Sequence, residues 1–238
     1  MTTPPIVLVP GFWLGAWAWD EVTAQLRQAG LDVHPITLPG LDSPAADRSA
    51  VSFADHVDAI CAAVAAAGAP VVLAVHSGAG MSGYAVTDKI PDQVAAVVYV
   101  DTAPGKGSIN PEFDGAEMPL PPTWEELDEN LDGISEEQLA RFRERAVPQP
   151  GGVLRGEWTF TNDARRSVPT TIICTAFTSE QYRQYAGEGY GFLAGVGELT
   201  DITWVDLPTS HWPMWSRPSD LAAILVDVAT KARGDVGT

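Results

Sequence analysis

The chemistry of this chain starts at Ser77. Residues 71–80 read Val-Val-Leu-Ala-Val-His-Ser-Gly-Ala-Gly. A short apolar run of this kind predicts a buried strand, and the glycines behind the serine predict an immediate helix start. A serine between the two stands on a sharp turn with its hydroxyl exposed. To act as a nucleophile it needs a base, and histidine suits that role near neutral pH. Of the four histidines, His34 falls in a strand pattern, His56 in a helix pattern, and His76 directly before the serine. Only His211 follows the end of a strand through a loop, in Asp206-Leu207-Pro208-Thr209-Ser210-His211-Trp212, with a helix beyond. A Ser77–His211 pair could carry acyl transfer, the histidine taking the serine proton and returning it to the leaving group. The plainer reading makes Ser77 a helix N-cap and His211 a polar surface residue. A phosphate-binding loop is disfavoured, because the Walker lysine is missing and the spacing differs.

The elements that must hold these residues alternate along the chain. Strands are expected at 6–10, 31–37, 70–75, 94–100, 170–175 and 202–206. Helices are expected at 17–29, at 56–67 behind a Ser52 cap with Asp55 three residues on, at about 78–88 and at about 218–231. Six strands separated by helices imply a parallel sheet covered on both faces. In such sheets the chemistry gathers at the carboxyl ends of the strands, where Ser77 and His211 both fall. Residues 105–168 break the alternation. They hold a stretch, 112–137, with ten acidic residues and no basic one. Short helices are expected at 124–131 and 135–146, and a break at Pro148, Pro150, Gly151 and Gly152. An insertion of this size above the sheet edge reads as a cap over a pocket, its aromatic residues needing something to cover.

The 71–80 segment resembles the nucleophile elbow of the α/β-hydrolase superfamily. Such elbows carry small residues two before and two after the serine. Ala79 fits; Val75 does not, and Gly78 and Gly80 are the expected compensation. Val7-Leu8-Val9-Pro10-Gly11-Phe12-Trp13 resembles the oxyanion loop after the first central strand, with Pro10 in place of the usual histidine. The 206–215 segment resembles the last loop, which carries the histidine. The three motifs span nearly the whole chain, in a layout similar to the small hydrolases that include plant methyl esterases and hydroxynitrile lyases. The resemblance implies one α/β-hydrolase domain over 1–238, with about six mostly parallel strands, helices on both faces and a helical cap at about 105–168. It also implies that the backbone N–H groups of Phe12 and Gly78 receive the oxyanion.

The third catalytic member is less direct. Members often carry the acid after the penultimate strand, where this chain has Phe177, Thr178 and Ser179, with Glu180 slightly late. Others carry it one strand earlier, where Asp101 follows Val97-Val98-Tyr99-Val100. Asp101 is favoured because it ends a buried strand at the functional edge. Glu180, which could instead open the next helix, and a site without a carboxylate both stay open. The plainer role of Asp101 is to cap the 102–105 turn.

Composition narrows the partners. A net charge of −17, from 31 acidic and 14 basic residues, argues against nucleic acid and anionic membrane surfaces. Cys61 and Cys174 are too few for a disulfide framework or a cysteine-rich zinc site. No metal, nucleotide or flavin is implied, so no cofactor is expected. The N-terminal Met1-Thr2-Thr3-Pro4-Pro5 lacks a signal-peptide pattern, and no apolar stretch is long enough to span a membrane, so a cytoplasmic location is expected. Trp13, Trp124, Trp158 and Trp212 are the candidate substrate-binding residues; their bland alternative is core packing. The expected reaction is hydrolysis of a small apolar or aromatic ester, thioester or lactone through an acyl-enzyme on Ser77. A lyase using the same pair for proton transfer, or a hydrolase-like binding protein, are the alternatives.

Overall fold

The computed structural model describes residues 3–68 and 70–235. Met1 and Thr2 of the N-terminal reading, and the last three residues of the expected domain, lie outside them. In chain order the strands are β1 (Ile6–Val9), β2 (Val33–Pro35), β3 (Val71–His76), β4 (Val94–Val100), β5 (Glu117–Met118), β6 (Gln149–Pro150), β7 (Thr170–Cys174) and β8 (Ile202–Asp206). The α-helices are α1 (Asp20–Gln28), α2 (Phe53–Ala66), α3 (Gly80–Lys89), α4 (Trp124–Leu127), α5 (Glu136–Arg145), α6 (Gly151–Arg155), α7 (Ser179–Glu188), α8 (Pro213–Ser216) and α9 (Pro218–Asp235).

Six strands form one parallel sheet in the order β2-β1-β3-β4-β7-β8. This is the α/β-hydrolase fold. Successive strand residues point to opposite faces, so each strand serves two cores. Val7, Val9, Leu73, Val75, Val97 and Tyr99 pack with α2 and α3 on one side. Ile6, Leu8, Val72, Ala74, Val98 and Val100 pack with α1 and α9 on the other. Burial on both faces explains why these strands read as unbroken apolar runs. The expected Ser52 cap is present, with Ser52 and Asp55 reciprocally bonded at the start of α2. β2 is shorter than the sequence suggests: it is an edge strand, and Pro35 has no N–H to extend a ladder.

Between β4 and β7 the chain leaves the sheet. Ser135 and Gln138 form the capping box of α5. The helix expected at 124–131 stops at Leu127, because Asp128 turns left-handed (φ 54°) and Asn130 closes a turn on the Asp132 N–H. Nor is 148–152 a plain break. Gln149–Pro150 pairs antiparallel with Glu117–Met118, and α6 begins at Gly151. Among the described residues no helix is long and apolar enough to cross a membrane.

Candidate active site

Three side chains from separate strand ends meet above the sheet. Ser77 follows β3, Asp101 follows β4 and His211 lies in the loop after β8. The Ser77 hydroxyl donates to His211 Nε2 at 2.7 Å. His211 Nδ1–H donates to Asp101 Oδ2 at 2.6 Å. Glu180, by contrast, is exposed in the first turn of α7. The end of β7 contributes differently from the pattern implied by the resemblance. Instead of carrying an acid it binds one, since the Thr175 and Ala176 N–H groups donate to Asp101 Oδ1 at 3.0 and 3.4 Å. The Tyr182 hydroxyl donates to the same oxygen at 3.3 Å.

The backbone is strained where these groups project. Ser77 (φ 50°), Asp101 (φ 45°) and Trp13 (φ 65°) occupy the left-handed region without being glycine. Such positions cost on the order of 1–3 kcal/mol and persist only where the surroundings enforce them. Part of that enforcement lies next to the serine. Val75, the large residue where the elbow pattern wants a small one, stands over Gly83 of α3. A Cβ on Gly83 would lie 2.8 Å from Val75 Cγ1. Gly83, rather than the expected Gly78 and Gly80, therefore allows the close approach of strand and helix. Gly78 instead makes room for the Phe12 ring, which a Cβ would meet at 2.3 Å.

The electrostatics follow from burial and pairing. Burial alone would raise the Asp101 pKa; the hydrogen bond and charge of His211, with the Thr175 bonds, outweigh it and hold the carboxyl below its usual range. Burial would lower the His211 pKa, but the Asp101 bond and charge, with the charge of Glu129, push it above the usual imidazole value. Glu129 itself is pushed up, first by burial and then by Asp101 and Asp128, against the opposing effect of His211. His76 is fully buried, and burial together with the nearby His211 lowers its pKa to about 3. It is therefore neutral, and its Nε2–H donates to the His211 carbonyl at 2.7 Å. Composition and spacing gave no hint of this contact, because His76 stands out in the sequence only as the serine's neighbour.

Beside Ser77 opens a cavity of about 250 Å³. Phe12 and Gly78 border it. Its apolar wall comes from Met81, Ala103, Ile109, Phe177, Tyr182 and Phe192. The 105–168 insertion supplies Ile109 and Glu129; the connection from β7 to β8 supplies Phe177, Tyr182 and Phe192, and the loop after β1 supplies Phe12.

None of Trp13, Trp124, Trp158 and Trp212 borders this cavity. Trp212 is buried and stacks on Trp215, with Phe142 of α5 packed edge-on and Trp124 beyond it. Trp13 Nε1–H donates to the Met118 carbonyl at 3.0 Å. Trp158 Nε1–H donates to Asp88 near the far end of α3. Trp13 and Trp158 tie the insertion to the loop after β1 and to α3, and Trp124 and Trp212 pack against Phe142 of α5. A place inside the oxyanion-loop and His211-loop motifs misleads for Trp13 and Trp212, because a ring beside a turn can point away from the cavity. The cavity-lining Phe177 and Phe192 sit in a segment whose path only tertiary contacts fix. Among the described residues no group of three or more His, Cys, Asp or Glu side chains is arranged to hold a metal ion.

The alpha/beta hydrolase family matches the chain over residues 6–224, and the chain belongs to that family. Methylesterase 7 of Arabidopsis thaliana is 27% identical over 261 aligned positions, covering 94% of this chain and 96% of that protein. Methyl jasmonate esterase 1 of Vitis vinifera is 27% identical, covering 93% and 95%. The crystal structure of the methylesterase MES16 from Arabidopsis superposes with a TM-score of 0.74 at 20% identity, covering 96% of this chain and 99% of that one. That likeness is one of fold.

Proposed function

We propose that the protein is a carboxylic ester hydrolase acting on small apolar or aromatic esters through an acyl-enzyme on Ser77. The class of activity is supported by the family and by relatives named as esterases. The residue roles rest on one observation, the hydrogen-bonded line Asp101–His211–Ser77. Ser77 Oγ attacks the ester carbonyl while its proton passes to His211 Nε2. The oxyanion forms against the backbone N–H groups of Phe12 and Gly78. Collapse expels the alkoxide, which takes the proton from Nε2 and leaves as the alcohol. Water then repeats the sequence on the acyl-enzyme and releases the acid. Asp101 stays ionised throughout and stabilises the imidazolium.

The cavity rim supports an apolar substrate. The exposed large apolar side chains among the described residues are Ile109, Phe177, Tyr190 and Phe192. Three of these four border the cavity, a concentration that marks a binding mouth rather than scattered surface. The test is hydrolysis of p-nitrophenyl acetate, combined with a serine-directed phosphonate and mass analysis. Turnover with a single label on Ser77 is expected. Ser77→Ala, folded by thermal melt, loses about 10⁴–10⁶ in kcat. Labelling elsewhere, or a folded Ser77→Ala enzyme within tenfold of wild type, overturns the proposal.

A further inference from the structure

The charge lining the cavity is one-sided. Among the described residues it includes two carboxylates, Asp101 and Glu129, and no lysine or arginine. Asp101 is committed, its two oxygens taken by His211, Thr175, Ala176 and Tyr182. Glu129 is not committed in this way. Its Oε2 stands 3.8 Å from His211 Nδ1, beyond hydrogen-bond reach, and 38% of its side chain is exposed. Its backbone is nonetheless held beside the site, because the next residue is tied to the His211 loop. The Asn130 carbonyl accepts the His211 N–H at 2.9 Å, and Asn130 Nδ2 donates to the Thr209 carbonyl at 3.2 Å. The backbone at Glu129 is therefore coupled to the loop that carries His211, and its carboxylate borders the cavity. It also belongs to the 112–137 stretch, with ten acidic residues and no basic one, in a chain of net charge −17.

From this wall we infer that Glu129 sets the charge preference of the site, and that the favoured substrates are small esters carrying a cationic, ammonium-type group. The inference rests on the esterase reading above and adds the charge of the substrate to it. A cation beside Glu129 replaces a carboxylate's partial hydration with a direct opposite charge. The lining aromatic residues Phe12, Phe177, Tyr182 and Phe192 suit the apolar shell of an alkylammonium, and ring quadrupoles attract such cations. An ester bearing a carboxylate meets the opposite field and is excluded. The acid released by hydrolysis is itself an anion, so the same field favours its departure. The acidic surface draws cations toward the mouth, an effect that weakens as salt is raised.

The test uses two esters of nearly equal shape, acetylcholine and 3,3-dimethylbutyl acetate, which differ in one charge. Wild-type enzyme is expected to show kcat/KM for the cationic ester at least about tenfold above the neutral one. Glu129→Gln brings the ratio close to unity, and 0.5 M NaCl lowers it in wild type. The ratio cancels any general effect of the substitution on the triad. Calorimetric binding of the same two esters to Ser77→Ala reads the preference without turnover. A preference in binding with no hydrolysis by wild type would refute the esterase reading and keep the charge assignment. Hydrolysis of both esters with a ratio near one, or a ratio untouched by Glu129→Gln, overturns the charge assignment and keeps the esterase reading.

Discussion

Replacing Asp101 by asparagine keeps the shape of the side chain and removes its charge. The structure dictates how the new amide must sit. Oδ1 accepts from Thr175 N, Ala176 N and Tyr182 Oη, all donors. The amide oxygen must take that position, which turns the NH₂ group toward His211 Nδ1. Nδ1 then has to accept rather than donate, so the imidazole proton moves to Nε2, where it faces the Ser77 hydroxyl. The base is left in the wrong tautomer. Losing a charge-assisted hydrogen bond to the imidazolium costs about 1.5–3 kcal/mol, and undoing the new hydrogen bond to restore the working tautomer costs about 1–3 kcal/mol. Together these give about 2.5–6 kcal/mol, or about 10²–10⁴ in kcat/KM. The assay is p-nitrophenyl acetate hydrolysis, with a thermal melt to show that the variant folds. Glu180→Gln, an exposed change, should cost less than about tenfold. A folded Asp101→Asn enzyme within tenfold of wild type, or a larger loss from Glu180→Gln, would refute the reasoning.

Gly83→Ala drives a Cβ to within 2.8 Å of Val75 Cγ1 and should destabilise by about 1–3 kcal/mol; Val75→Ala in the same chain should restore the melting temperature, and an additive loss in the double variant would show that the two do not meet. His211 must be neutral to accept the Ser77 proton, and its pKa is raised by Asp101 and Glu129. The acidic limb of the kcat/KM profile should therefore lie above the ordinary imidazole value of about 6.5, with activity lost as pH falls through it; a limb below 6 contradicts this. Phe177→Ala, at the cavity wall, should change the ratio of kcat/KM between bulky and small esters, whereas Trp158→Ala should lower the melting temperature and leave that ratio unchanged. The reverse pattern would put Trp158, and not Phe177, against the substrate.

Local pattern was enough to place most of the sheet and two polar residues at its carboxyl edge. Strands buried on both faces read as apolar or β-branched runs, so β1, β3, β4 and β7 announce themselves, whereas the edge strand β8 is only half-buried. A serine or histidine just past such a strand is confined to the carboxyl edge, which is why Ser77 and His211 could be named from local pattern alone. Asp101 was legible for the same reason, although a competing carboxylate at Glu180 fitted the spacing too. What decided between them was long-range: Asp101 is one strand over from Ser77, and the β7 end folds its N–H groups onto that carboxylate. The direction of side chains at turns was likewise invisible in one dimension. Trp13 and Trp212, which lie inside the motifs, turned away from the cavity, while Phe177 and Phe192, 34 and 19 positions before His211, came round to it. Glu129 and His76 acquired their meaning only when the β8 loop brought His211 beside them. Local pattern encodes which face of an element is buried, and only the packing of distant elements fixes which side chains meet.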